Sequence, residues 1–175
     1  MSSTAESSSL SLSSSSARVR RMVVDDLEAL FALETAAHPG GWSEEAILVE
    51  LVHDDAVVYG VVDDGGAGGD VIVAWCALRL VVDELWLLNI STHPQHRRRG
   101  HAERLLQLVT KASTTSLGLR AEATSAWLEV REGNTGARAL YDRHGFVVVG
   151  RRPGYYPPLP PATAREAAIL MRTAR

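Results

Sequence analysis

Leu88-Asn89-Ile90-Ser91-Thr92-His93-Pro94-Gln95-His96-Arg97-Arg98-Arg99-Gly100-His101-Ala102 is the stretch from which the rest of the chain can be read. It carries an apolar run, Glu84 to Ser91, through a proline-bearing exit and a basic turn into a helix. The run is dense in large apolar residues, as strands in the middle of a sheet are. In the helix, Ala102, Leu105, Leu106 and Val109 fall on one face. A helix start offers unpaired N–H groups and a partial positive charge, so it binds phosphate. Gly100 and Ala102 keep side chains away from that backbone, and Arg97, Arg98 and Arg99 add charge beside it. Taken alone, the turn reads equally well as a basic surface loop with a helix cap.

Upstream, residues 18–24 alternate as a first strand. Asp25 and Asp26 then offer caps to a helix with Leu27, Leu30, Phe31 and Leu33 at helical spacing. His38-Pro39-Gly40-Gly41 ends it, and Ser43 caps a second helix with Glu44 and Glu45 in its first turn. Val57 to Val62 and Val71 to Leu80 read as strands joined by a glycine-rich loop, residues 63–70. That loop opens no helix, so it is a hairpin connection rather than a phosphate loop. Downstream, residues 113–125 lack periodicity and read as an extended loop, followed by a short strand from Ala126 to Val130. Asn134 caps a helix with Ala137, Leu140, Tyr141 and His144 on one stripe, and Gly145 stands at its C-terminal end. Phe146 to Arg152 and Ala167 to Met171 complete the set as strands around a proline-rich loop that contains Tyr155 and Tyr156. The order β-α-α-β-β-β-α-β-α-β-β predicts an α+β fold of mixed α/β layers.

A chain of 175 residues with 46% hydrophobic and 22% charged residues suits one globular domain with a sizeable core. We expect that domain to span 18–175, preceded by a disordered serine-rich tail, 1–17, which has too few apolar residues to offset its ordering entropy. Glu6, and the lack of arginine before Arg18, argue against an organelle presequence. The net charge of −3, with no aromatics interleaved among Arg97 to Arg99, argues against a nucleic-acid partner. No apolar run approaches a membrane span, and the lone Cys76 suits a reducing compartment, so the expected location is cytoplasmic. His93, His96 and His101 lack a carboxylate or thiol to complete a ligand set, so no metal is expected. The absence of a Gly-x-Ser-x-Gly elbow argues against a serine nucleophile.

Residues 97–102 resemble the acetyl-CoA pyrophosphate loop of the GNAT superfamily of N-acetyltransferases, Gln/Arg-x-x-Gly-x-Gly/Ala. Leu88 to Pro94 resemble that family's fourth strand and its exit, and Trp127-Leu128-Glu129-Val130-Arg131-Glu132-Gly133-Asn134 with Ala139-Leu140-Tyr141-Asp142-Arg143-His144-Gly145-Phe146 form a second signature. Ala37-His38 with Trp42-Ser43, and Tyr155-Tyr156-Pro157 with Arg165-Glu166, extend the likeness toward the ribosomal-protein-alanine (RimI) and protein amino-terminal acetyltransferase branch. Three positions depart from the pattern: His101 is bulky for its place, Ala102 replaces the commoner glycine, and Gly41 replaces a proline. The 113–125 loop is also longer than in that branch.

The resemblance implies a central mixed, largely antiparallel sheet flanked by helices, and acetyl-CoA as co-substrate. It implies coenzyme contacts from Ile90, Ser91 and Thr92, from Arg97, Arg98, Arg99, Gly100, His101 and Ala102, and from Asn134. Trp42, Tyr155 and Tyr156 would meet the acceptor, a protein or peptide amino terminus and possibly that of a ribosomal protein. The acceptor amine must be neutral to attack a thioester, and an α-amine, with a pKa near ~8, gives up its proton more easily than a lysine, near ~10.4. One carboxylate suffices for that step. By resemblance Glu129 is the general base and Tyr141 the acid for the leaving thiolate. Spacing alone leaves Glu129 open as a polar-face residue of a half-buried strand, and Tyr141 as a core aromatic. Two other functions stay in view: acetylation of a small-molecule amine, and an inactive acetyl-CoA-binding subunit.

Overall fold

The computed structural model describes residues 17–64 and 69–174. Its strands are β1 (Arg18–Arg21), β2 (Ala56–Asp64), β3 (Asp70–Val81), β4 (Glu84–Thr92), β5 (Ser125–Arg131), β6 (Val147–Tyr156) and β7 (Glu166–Ala174). The helices are α1 (Leu27–Ala37), α2 (Glu44–Val52), α3 (His101–Lys111) and α4 (Thr135–Arg143). Their order along the chain matches the predicted one. Of the expected tail, only Ala17 falls among the described residues, and its carbonyl accepts a hydrogen bond from Arg104. Part of the expected 63–70 hairpin loop, residues 65–68, also lies outside them.

The strands form a seven-stranded sheet in the order β1-β2-β3-β4-β5-β7-β6. Every neighbouring pair is antiparallel except β4 and β5, whose parallel pairing needs the crossover that α3 supplies. This parallel pair is short: Glu84 to Leu87 against Ser125 to Leu128. Beyond it β4 stays with β3 as far as Thr92, and β5 stays with β7 as far as Arg131. The two strands therefore part and leave a wedge. Leu88 sits at its apex as an extra residue, because Ala77 pairs with Asn89 while Leu78 pairs with Leu87. Such a bulge bends its strand and re-aims the residues that follow.

Each face of the sheet is sealed by a separate core. Leu78, Leu85, Leu105, Leu106, Leu128 and Phe146 pack on the α3 and α4 face. Leu30, Leu33, Ile47, Val58 and Trp75 pack beneath α1 and α2. Each such side chain contributes roughly 1.5–3 kcal/mol by leaving water.

Several local expectations need correction. Asp26 does not cap α1 with its side chain: the carboxylate receives Arg20 at 2.6 and 2.8 Å and the Val23 N–H at 2.9 Å, and a short 3₁₀ turn precedes the helix. Tyr155 and Tyr156 end β6 rather than lying in a loop, because pairing resumes at Tyr156 with Glu166 past an irregularity holding Pro153, which has no N–H to give. The 113–125 loop is folded on itself. Its carboxylate Glu122 accepts from Ser113 Oγ (2.5 Å), Thr114 N (3.0 Å), Thr115 N (3.1 Å) and the Thr115 hydroxyl, while Leu117 and Leu119 are buried in the core. Irregular chain held by one acceptor has no period to read.

Candidate active site

The wedge between β4 and β5 opens into a cleft of about 790 Å³. Trp42, Ile90, Glu129, Asn134, Tyr141 and Tyr156 all line it, so residues from six separate elements or turns meet in one place. Glu129 projects from β5 just past the last parallel pair, Leu87 with Leu128. Its side chain is 15% exposed, and Arg152 of β6 forms an ion pair with it at 3.0 Å. The negative charge of Glu129 raises the Tyr155 phenol, aided by burial. Burial, reinforced by Glu129, pushes Tyr156 up to about 12.

Tyr141 lies on the inward face of α4, edge-on to Phe146 at 6.0 Å between ring centres. Burial, with Tyr156 nearby, raises its phenol well above the ordinary value, so it keeps its proton at neutral pH. Asn134 caps the same helix, its Oδ1 accepting from Ala137 N at 3.2 Å. That bond leaves the amide Nδ2 as a donor toward the cleft it lines. Tyr156 is fixed by the Arg131 guanidinium 4.5 Å above its ring, and Arg131 is held in turn by Glu166 at 3.0 Å. Tyr155 is 42% exposed and stands outside the cleft wall, T-shaped on Tyr156. Trp42 packs edge-on against buried Trp75, 5.9 Å between centres.

The predicted phosphate turn lies past the end of β4, outside the cleft wall. Gly100 is the α3 N-cap at φ +80°, a conformation that favours glycine, and a Cβ there would meet nothing within 4 Å. Backbone and free space above the helix start are thus both available to an anion. Arg98 has φ +63° and, with Arg99, points to solvent. Arg97 is exposed too, but its guanidinium is engaged: it donates to the Ala37 carbonyl at 3.0 Å and the Thr92 carbonyl at 3.4 Å, tying the turn to the end of α1. His101 is 3% exposed with both ring nitrogens unpartnered. Desolvation, then Arg104, holds its pKa below the usual histidine range, so a neutral ring faces the interior and leaves the turn clear. Ser91 also turns inward, its hydroxyl donating to Glu34, while its backbone lies on the part of β4 that has no β5 partner.

Sequence reasoning missed Glu34, Asn89 and Arg152. Glu34 carries a signal, for it falls on the α1 stripe Leu30, Leu33, Glu34, Ala37, where an acid is out of place. Arg152 carries none, since its approach to Glu129 depends on the β5–β7–β6 register. Among the described residues no group of three or more His, Cys, Asp or Glu is placed to hold a metal. No helix there is long and apolar enough to cross a membrane.

A mixed sheet split between its one parallel pair, a bulged strand on one lip and a helix start beyond it define an acyl-CoA N-acyltransferase fold. The acetyltransferase (GNAT) family pattern matches residues 27–146, and the chain belongs to that family. It is an N-acetyltransferase. The ribosomal protein bS18-alanine N-acetyltransferase of Haemophilus ducreyi is 33% identical over 153 residues, covering 87% of this chain and 97% of the relative. The crystal structure of the ribosomal-protein-S18-alanine N-acetyltransferase from Escherichia coli superposes with a TM-score of 0.76 at 28% identity, over 90% of this chain and 93% of that one. Arabidopsis thaliana NAA60 in complex with acetyl-CoA, at 19% identity and a TM-score of 0.75 over 90% and 98% of the two chains, shares the fold.

Proposed function

We propose that the enzyme transfers the acetyl group of acetyl-CoA to the α-amine of a protein amino terminus, with a ribosomal-protein alanine as the acceptor its relatives' names suggest. The observation that carries this reading is the meeting of Glu129, Tyr141 and Tyr156 in the cleft where β4 and β5 part. Acetyl-CoA, as substrate, would lay its pantetheine arm along the unpaired backbone of Ile90 to Thr92 and its pyrophosphate over the Gly100 turn and the α3 start. Asn134 Nδ2 would donate to the arm. Arg98 and Arg99 would supply charge to the phosphates, whereas Arg97 shapes the turn from behind.

The acceptor would enter past Trp42 and Tyr156. Glu129 takes its ammonium proton, directly or through a water, so that the amine can attack the thioester carbonyl. Arg152 keeps Glu129 paired until the acceptor's own cation arrives. As the tetrahedral intermediate collapses and the C–S bond breaks, Tyr141 gives its proton to the thiolate, a role suited to a buried, neutral phenol. The second proton, shed by the acylated nitrogen, restores the phenol, and Glu129 releases its own to water. The cytoplasm, where ribosomal proteins are made, is the compartment this acceptor requires.

The test is acetyl transfer to a panel of short peptides with different first residues, read by mass spectrometry. Acetylation should fall on the α-amine alone, and Glu129→Gln should lower kcat by about 10²–10³-fold at neutral pH. Modification of polyamines or aminoglycosides in place of peptides would move the acceptor to small amines. Acetyl-CoA binding with no turnover on either would mark an inactive subunit.

A further inference from the structure

Two glutamates are buried beneath α1 and α2, and only one has a cation. Glu50 pairs with Arg79 at 2.6 Å, whereas Glu34, 2% exposed, has no cationic partner among the described residues. Burying a carboxylate without one is expensive, and an apolar residue would fill this stripe more cheaply. What Glu34 has instead is two hydrogen bonds that point in different directions. It accepts from Ser91 Oγ at 2.5 Å and from the Trp42 backbone N–H at 3.4 Å. Ser91 belongs to β4, on the coenzyme side, while Trp42 closes the α1–α2 turn that walls the acceptor side.

The turn is packed directly onto this carboxylate. A Cβ on Gly41 would stand 2.5 Å from Glu34 Oε1 and 2.9 Å from the His38 carbonyl, so no larger residue fits without displacing the turn. Gly41 N donates to that same carbonyl at 2.7 Å, closing the turn over Glu34. Arg97 makes a second, parallel tie from Thr92 to Ala37. Asn89 continues the chain on the cleft side. Its Oδ1 lies 3.3 Å from Ser91 Oγ and its Nδ2 is buried without a partner, so exchanging the two atoms would let the amide donate to Ser91 while Ser91 donates to Glu34.

Resting on the acetyl-transfer reading above, we infer that Glu34 is a positioning residue that fastens the α1–α2 turn to β4, holding the acceptor's wall in register with the coenzyme's strand. It borders the cleft, but both of its carboxylate oxygens are engaged by Ser91 and Trp42, so it acts through the turn it holds. Its loss frees the turn and weakens acceptor binding, while β4, held by β3, keeps its grip on acetyl-CoA. Glutamine can replace it: the amide oxygen accepts from Trp42, and the amide nitrogen donates to Ser91 Oγ.

The experiment compares wild type, Glu34→Ala and Glu34→Gln by steady-state kinetics and by hydrogen exchange of residues 38–43 without substrate. Glu34→Ala should raise the peptide KM about tenfold, leave kcat and the acetyl-CoA Kd within about threefold, and speed exchange in that segment. Glu34→Gln should stay near wild type in all four. An unchanged peptide KM with unchanged exchange in Glu34→Ala overturns the inference. So does a glutamine variant as impaired as the alanine one, which would make charge rather than hydrogen bonding the cause. Should Glu34→Ala not fold, Glu34→Asp, whose shorter side chain cannot span from Ser91 to Trp42, takes its place. If wild type acetylates no peptide, the acetyl-transfer reading fails by itself, and the exchange rates still decide whether Glu34 holds the turn.

Discussion

At the scale of single residues, the site separates the two groups proposed to move protons by their surroundings. Glu129 is partly exposed and paired with Arg152, while Tyr141 is buried among aromatic and aliphatic neighbours. Burial raises the phenol, so its neutral form persists into alkaline solution and no acid is lost as pH rises. The acceptor changes in the opposite sense, since its α-amine becomes reactive as pH passes about 8. The kcat/KM profile should therefore rise through that region and show no falling limb below about pH 10. Tyr141→Phe should lower kcat by about 10²-fold without moving the rising limb. A falling limb near pH 9 that disappears in the phenylalanine variant would sink this account of Tyr141. The catalytic reading of Glu129 and Tyr141 comes from the sequence only by resemblance. Alternation along β5 places Glu129 on one face without saying whether that face opens to solvent or to a cleft.

At the scale of elements, the most readable part is the junction of β4 and α3. An apolar run, a proline, a glycine and an amphipathic stripe are local signals, and each appears where it was read. Gly100 is a case where local geometry makes a prediction. Alanine there meets no atom, so the effect of Gly100→Ala is the strain of a left-handed L-residue, about 1–2 kcal/mol, relieved by shifting the first turn of α3. We expect acetyl-CoA affinity to fall at least several-fold, measured by calorimetry, with a small loss in Tm. Wild-type affinity would place the pyrophosphate elsewhere. The 113–125 loop and the far end of β6 were not readable in this way. One is organised by a carboxylate collecting donors from residues seven to nine positions away, and the other by pairing with β7 across a proline.

At the scale of the whole molecule, the cleft exists because two strands that pair for four residues are then claimed by different partners. A coenzyme bound between them would bridge the two halves of the sheet. At about 100 times its Kd, acetyl-CoA should stabilise the fold by about 2.7 kcal/mol, a rise in Tm of roughly 5–10 °C for a chain of this size. Cys76 reports the same opening chemically. It is fully buried in β3, its thiol pushed up to about 12 by desolvation, so alkylation at pH 8 should wait for global unfolding and slow further with acetyl-CoA. Rapid labelling of the folded protein would show that the sheet opens locally at β3. The sequence by itself determined the succession of elements, the glycine-led start of α3 and the family, because these depend on residues near one another in the chain. Only the tertiary structure decided that β4 and β5 part after Leu87 and Leu128, that Arg152 reaches Glu129, and that Glu34 joins Trp42 to Ser91. Those contacts depend on strand register and helix docking, which are settled by how the two cores pack and leave no periodic trace in the chain.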